Sequence, residues 1–174
     1  MAAPSSQIEL SFRLATVEDL DALVDMINNT YKGGGWTFEG QYVAGNRVEK
    51  SYLEDVVSKQ PKECALILAI YKDQIVGCVR LQKQNDGPVL LGLLTVNANF
   101  QSQGVGKRLM EYAWGYQKRE WILPISQIYV VNIRTELLTW YQKLGYKPDN
   151  QRREMNNFRP EYSSCYLLGM QKEL

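Results

Sequence analysis

The chain contains no histidine. This absence removes the usual general base at neutral pH and the commonest metal ligand, so proton transfer falls to carboxylate, tyrosine, thiol, backbone or water. Charge of one sign is missing too. Twenty Lys and Arg against nineteen Asp and Glu leave a formal charge of +1, which supplies no global field toward nucleic acid or a membrane. Any anion site has to be built locally. No apolar run approaches the roughly 18 residues of a spanning helix, and MAAPSS (1–6) lacks the charged and hydrophobic regions of a signal peptide. The sequence therefore reads as a soluble, cytoplasmic protein. Cys64, Cys78 and Cys165, odd in number and flanked by apolar residues, fit buried free thiols of a reducing compartment, not a disulfide framework or a zinc site.

What is present is enough apolar material, 45% of 174 residues, to close the core of one domain. That domain takes in 1–174, with its core at about 8–170, because no repeat, low-complexity segment or linker interrupts it. The hydrophobic pattern predicts a strand over IELSFRLA (8–15). A helix opened by Thr16 and Asp19 follows, through Leu20, Leu23, Val24 and Ile27. KGGGW (32–36) breaks it and begins a loop of glycines and aromatics reaching residue 46. A polar helix over about 49–59 is closed by Pro61. CALILAIYK (64–72) and IVGCVRLQK (75–83) read as an antiparallel hairpin, and VLLGLLTV (89–96), apolar nearly throughout, as a central strand covered on both faces. A helix with Val105, Leu109, Ala113 and Tyr116 on its core face comes next. A strand over ISQIYVVN (125–132), a short helix through Leu137, Leu138, Tyr141 and Leu144 ended by Gly145, and a last strand over CYLLGM (165–170) complete a mixed α/β order, β α α β β β α β α β β. QRREMNNFRPEY (151–162) is expected to connect the last two strands, with Arg152 and Arg153 in solvent.

One stretch asks for an explanation: NANFQSQGVGKRLMEYAW (97–114) sets Lys107 and Arg108 at the start of a helix, where the macrodipole disfavours cations. A bound anion would account for them. A dinucleotide motif needs a third glycine where Leu109 stands, and a Walker loop needs a glycine at Gln101 and a hydroxyl at Arg108, so neither pattern fits. The residues do form Gln-x-x-Gly-x-Gly: Gln101, Ser102, Gln103, Gly104, Val105, Gly106. Glycines at 104 and 106 would clear side chains from the amides of Gln103 to Lys107, and each hydrogen bond to an ionised group contributes about 1.5–3 kcal/mol. The plainer reading is a tight turn followed by a solvated basic face.

Gln101 to Gly106, preceded by Leu94, Thr95 and Val96 and followed about thirty-five residues later by WYQKLGY (140–146), resembles the GNAT acyltransferase superfamily. Gln101 stands where that family often has arginine, and Ala98 where proline is common. The resemblance implies a central mixed, mostly antiparallel sheet of six to seven strands flanked by about four helices. It also implies acetyl-CoA as donor, its pyrophosphate on Gln101 to Arg108 and its pantetheine arm beside Leu94, Thr95 and Val96. An amide near Val96 would then polarise the thioester carbonyl. Asn132 either contacts the pantetheine or caps the next helix. Tyr141 matches the tyrosine that commonly protonates the departing thiolate; otherwise it is a core residue sharing a helical face with Leu137 and Leu144. Trp140 lines the same wall or packs.

Glu39 is the candidate base for the acceptor amine, in GGGWTFEGQY (33–42), with Trp36 and Phe38 around the acceptor and Arg47 available to a carboxylate. Alternatively Glu39 pairs with Arg47 and water takes the proton. The expected reaction is acetylation of a primary amine, foremost of a small molecule, with no metal, nucleic acid or membrane involved. Acetylation of a protein or peptide, or a non-catalytic acyl-CoA sensor, are the alternatives. Monomer and homodimer both remain open.

Overall fold

The computed structural model describes residues 8–33, 40–85 and 87–174. Its elements in chain order are β1 (Ser11–Leu14), α1 (Leu20–Gly33), α2 (Lys50–Ser58), β2 (Cys64–Tyr71), β3 (Gln74–Gln82), β4 (Val89–Val96), α3 (Val105–Tyr116), β5 (Ile125–Val131), α4 (Thr135–Lys143), β6 (Lys147–Arg153) and β7 (Leu167–Glu173). The strands make one sheet, β1-β2-β3-β4-β5-β7-β6, antiparallel throughout except where β4 meets β5. This is the expected mixed sheet with four α-helices.

Each face of the sheet has its own apolar layer. Val105, Leu109, Met110 and Ala113 of α3 cluster with Ile67, Val79, Leu81, Val89 and Leu91, whereas Leu20, Leu23, Ile27, Leu53 and Val56 of α1 and α2 cluster with Leu66, Leu68, Cys78 and Leu93. The alternation along β2 supplies both layers, which is why its sequence reads as one continuous apolar run. Gly77 lets α3 sit low: a Cβ there would fall 2.8 Å from Thr95 O and 2.9 Å from Leu109 Cδ1. All three cysteines are free and buried, and burial pushes the Cys78 thiol up to about 12, leaving no thiolate at neutral pH.

The strand bounds depart from expectation at the last hairpin. β6 takes in Gln151 to Arg153, read from sequence as connection, and β7 begins at Leu167, two residues after Cys165. β6 is an edge strand with nearly every residue in solvent, so its polar sequence KPDNQRR carries no alternation to read. Gly145, with φ +94°, ends α4 as expected.

Thr16 and Asp19 do open the first helical segment. Asp19 accepts from the Thr16 N–H at 2.8 Å and from both terminal nitrogens of Arg13 at 2.7 and 2.8 Å. The Arg13 bond, aided by Thr16 and opposed by burial, holds the Asp19 carboxyl down at about 2 against an ordinary 3.8. Because the folded carboxyl stays charged to lower pH than the unfolded one, its stabilisation is full above about pH 5. It is lost as the pH falls from about 4 toward 2. With Arg13 half exposed, solvent screening limits the contribution to about 1–2 kcal/mol. Asp19→Asn is therefore expected to cost that much at pH 7, and urea unfolding between pH 7 and 3 should show the gap to wild type narrowing with acidity.

Candidate active site

β4 is where the sheet departs from regularity. Gly92 pairs with Arg80 and Thr95 with Cys78, so Leu93 and Leu94 together stand opposite Val79 alone. This is a β-bulge. Leu93 absorbs it in the left-handed region, φ +51°. The extra residue reverses the alternation: Val89 and Leu91 face α3 and α4, Leu93 faces α1 and α2, and Leu94 and Val96 face α3 again.

The ladder to β5 fails on the same strand. β4 and β5 pair at Val89 with Ser126 and at Leu90 with Gln127, and among the described residues Leu91 to Val96 have no strand partner on that side. β5 meanwhile pairs with β7 along its whole length, from Ile125 to Val131. The strands splay, and a cleft of about 240 Å³ opens between Leu94 and Val96 on one wall, Leu137 and Trp140 of α4 on another, and the 100–107 segment at its end.

That segment is built by local rules. A short 3-10 turn over Ala98–Phe100 leaves β4, Gln101 Nε2 donates back to Val96 O at 3.0 Å, and Ser102 and Gly104 take φ of +61° and +78°. α3 then begins at Val105, and Arg108 N–H donates to Gly104 O at 3.1 Å. The N–H groups of Val105, Gly106 and Lys107 therefore have no acceptor within the helix. A Cβ on Gly104 would meet nothing within 4 Å, so glycine is needed there for its backbone angle. On Gly106 a Cβ would touch Val96 Cγ2 at 3.6 Å and the Trp140 ring at 3.8 and 3.9 Å, and any longer side chain would grow into the cleft. Unpaired amides, the positive end of a twelve-residue helix and Lys107 at the rim suit a diphosphate; Leu94, Val96, Phe100, Leu137 and Trp140 suit the less polar arm behind it.

The residues expected at the cofactor divide between the cleft and other places. Gln101, Ser102, Gly104, Val105, Gly106 and Lys107 line the cleft together with Leu94 and Val96. Lys107 is 3.7 Å from Glu111 Oε1, an exposed pair of little strength. Arg108, expected beside the phosphates, rests away from the cleft lining: Nη1 donates to Ile8 O at 2.6 Å and the guanidinium lies 6.0 Å from the Phe12 ring. Thr95 is fully buried with its hydroxyl on Leu93 O, leaving only its backbone near the site. The Gln103 side chain bonds Asn99 O. Asn132 Oδ1 accepts from Tyr166 N–H at 3.0 Å, tying β5 to the start of β7, and α4 takes Arg134 as its N-cap instead.

Tyr141 is buried, at 7% exposure, one helical turn from Leu137. Its ring lies edge-on to Trp140 at 4.9 Å and to Tyr146 at 5.7 Å. Trp140, left open between wall and packing, is a wall. Burial pushes the Tyr146 phenol up to about 12, and its oxygen is held by Ser126 Oγ at 2.6 Å and Trp114 Nε1 at 3.1 Å. Arg47 stacks on Tyr31 at 5.2 Å. Trp36, Phe38 and Glu39 lie outside the described residues. The bulge at Leu93 was not anticipated, although Gly92 inside an otherwise apolar strand is the kind of signal that marks one.

A family model described as "Acetyltransferase (GNAT) domain" matches residues 62–148, half of the 174. Among solved structures, an acetyltransferase of GNAT family from Streptococcus pneumoniae is similar with a TM-score of 0.73 at 20% identity, over 95% of this chain and 99% of that one. A PaiA N-acetyltransferase from Thermoplasma acidophilum in complex with coenzyme A gives 0.66 at 17%, over 96% and 100%. A ribosomal-protein-alanine N-acetyltransferase from Brucella melitensis gives 0.72 at 16%, over 94% and 99%. At these identities the likeness is one of fold. No curated protein matches the sequence.

Proposed function

The chain belongs to the GNAT acetyltransferase family, and on that premise we propose that it moves an acetyl group from acetyl-CoA to the primary amine of a small molecule by direct attack on the thioester. In this reading the diphosphate of the donor lies on the amides of Val105 to Lys107, with Lys107 adding charge. The acyl-pantetheine arm runs beside Leu94 to Val96 in the place a neighbouring strand would fill. The amine nitrogen attacks the carbonyl carbon, and charge develops on its oxygen toward the amide near Val96. The carbon–sulfur bond then breaks, Tyr141 gives its phenolic proton to the sulfur, and the proton from nitrogen passes to Glu39 or to water.

A small acceptor is favoured by one observation. The segment after α1 is tied to the segment after β6: Ala44 N–H donates to Asn157 O at 3.0 Å, Arg159 N–H to Tyr42 O at 2.8 Å, Val43 bridges Phe158, and Tyr42 meets Tyr162 edge-on at 5.0 Å. If the acceptor enters between these two loops, the arch that joins them would bar an extended peptide and pass a small amine. The test is release of coenzyme A thiol from acetyl-CoA with a panel of small primary amines and, separately, peptides. Turnover with small amines is the expected result. Release with peptides alone would replace the small acceptor, and cofactor binding without release from any of them would make the protein an acyl-CoA sensor.

A further inference from the structure

We propose that the acceptor carries an oxyanion as well as its amine, and that Arg80 holds that oxyanion on the α1/α2 face of the sheet. The inference rests on the acetyltransferase reading above and deepens it.

Arg80 stands on β3 directly opposite Gly92. The guanidinium lies over this glycine: a Cβ at 92 would touch Arg80 Nη2 at 3.6 Å, an ordinary contact, and a longer side chain would compete with it for the cleft. On its other side Nη1 donates to the Tyr52 hydroxyl of α2, whose ring the guanidinium also faces at 5.7 Å. That contact orients the fork without adding negative charge. No carboxylate among the described residues lies within 4.0 Å of it, and its Nε–H, shut off from solvent, has no acceptor. A half-buried cation with an unmet donor is costly to keep unless something supplies both an acceptor and a counter-charge. An oxyanion entering from the cleft against the guanidinium supplies the counter-charge, through the charge-assisted hydrogen bond such a group donates well.

The surroundings agree in sign. Arg80 and Arg47 line a cleft of about 450 Å³ together with Ser51, Tyr52, Gly92 and Leu93. Its one acid among the described residues, Glu49, already accepts from Asn46 Nδ2 at 3.0 Å. α2 begins at Lys50 with no acidic residue in its first turn, and Glu49 is its N-cap. The position agrees as well. Leu93 lines this cleft and Leu94, the next residue, lines the donor cleft on the opposite face, so the two clefts flank the bulge from either side of the sheet. An acceptor anchored by its anion at Arg80 would have its amine directed toward the break in β4. A polyamine would meet like charge there.

Matched acceptors that differ only in charge test this. Glycine, β-alanine, 4-aminobutyrate, phenylalanine and tyrosine are compared with their carboxamides, with 2-aminoethylphosphonate as a second oxyanion and spermidine as a polycation. The expected result is at least a tenfold higher kcat/KM for the best oxyanion-bearing amine than for its neutral partner. Arg80→Gln should erase that preference through KM, leaving the neutral partner's kcat/KM and the thermal shift by coenzyme A unchanged. Arg80→Lys, should the glutamine variant not fold, should retain part of it. Preference for neutral amines or spermidine, or an equal loss with all acceptors in the variant, overturns the proposal. If wild type acetylates nothing while binding coenzyme A, the parent reading fails. The anion site is then judged by thermal shift with N-acetylphenylalanine against its carboxamide: an Arg80-dependent response to the acid alone upholds it, and equal responses overturn it.

Discussion

Gly106→Leu is expected to abolish stabilisation of the protein by coenzyme A while the unliganded fold stays intact. The Cβ itself is tolerated, meeting Val96 and Trp140 at ordinary contact distances. The remaining atoms have nowhere to go but the cleft of about 240 Å³, where they would cover the amides of Val105 to Lys107. Residue 106 is the second residue of α3 with no left-handed backbone, so leucine there brings no strain and a better helix propensity. At a hundredfold excess over its dissociation constant, coenzyme A should stabilise wild type by about 2.7 kcal/mol. In a chain of this length that is a rise of roughly 5–10 °C in Tm. Thermal unfolding with and without coenzyme A reads the difference directly. A shift of wild-type size in the variant would remove the amides from the binding site. Gly104 is the poorer target, because its φ of +78° would confound strain with lost binding.

Tyr141→Phe is expected to lower kcat about 10²-fold or more while leaving the KM for acetyl-CoA near its wild-type value. The phenyl ring keeps its edge contacts with Trp140 and Tyr146, so packing is preserved and the hydroxyl alone is tested. Steady-state kinetics with the best amine provides the measurement. Turnover at the wild-type rate would return Tyr141 to the core. Tyr146→Phe is the contrasting variant: its hydroxyl is occupied by Ser126 and Trp114, so its removal should register in stability instead of rate.

The legible parts of this fold were those governed by local pattern. β4 runs over the residues its apolar stretch indicated, α3 buries Val105, Leu109, Ala113 and Tyr116, and the glycine turn leads into a helix start with spare donors. What escaped was set by pairing between distant segments. Arg108 looked like a phosphate ligand by proximity in sequence, yet its guanidinium is claimed by Ile8, a hundred residues away. Arg80 looked like one more residue of a strand, since nothing local announces that a glycine lies across from it. The reversal of faces at Leu93 needs the register between β3 and β4, which alternation alone does not contain. Asn132, read from sequence as a pantetheine contact or a helix cap, accepts from the Tyr166 N–H just before β7, a partner thirty-four residues away.

The irregularity at Leu93 also sets a limit on how this protein can be made hardier. A chain one residue shorter between Gly92 and Thr95 would relieve a leucine of a conformation that costs about 1–2 kcal/mol and would remove the bulge against β3. Such a deletion should melt later and reshape the cleft wall that Leu94 and Val96 form. Screens for heat tolerance alone would select it, so a stabilisation campaign that changes residues 92–95 has to score turnover as well.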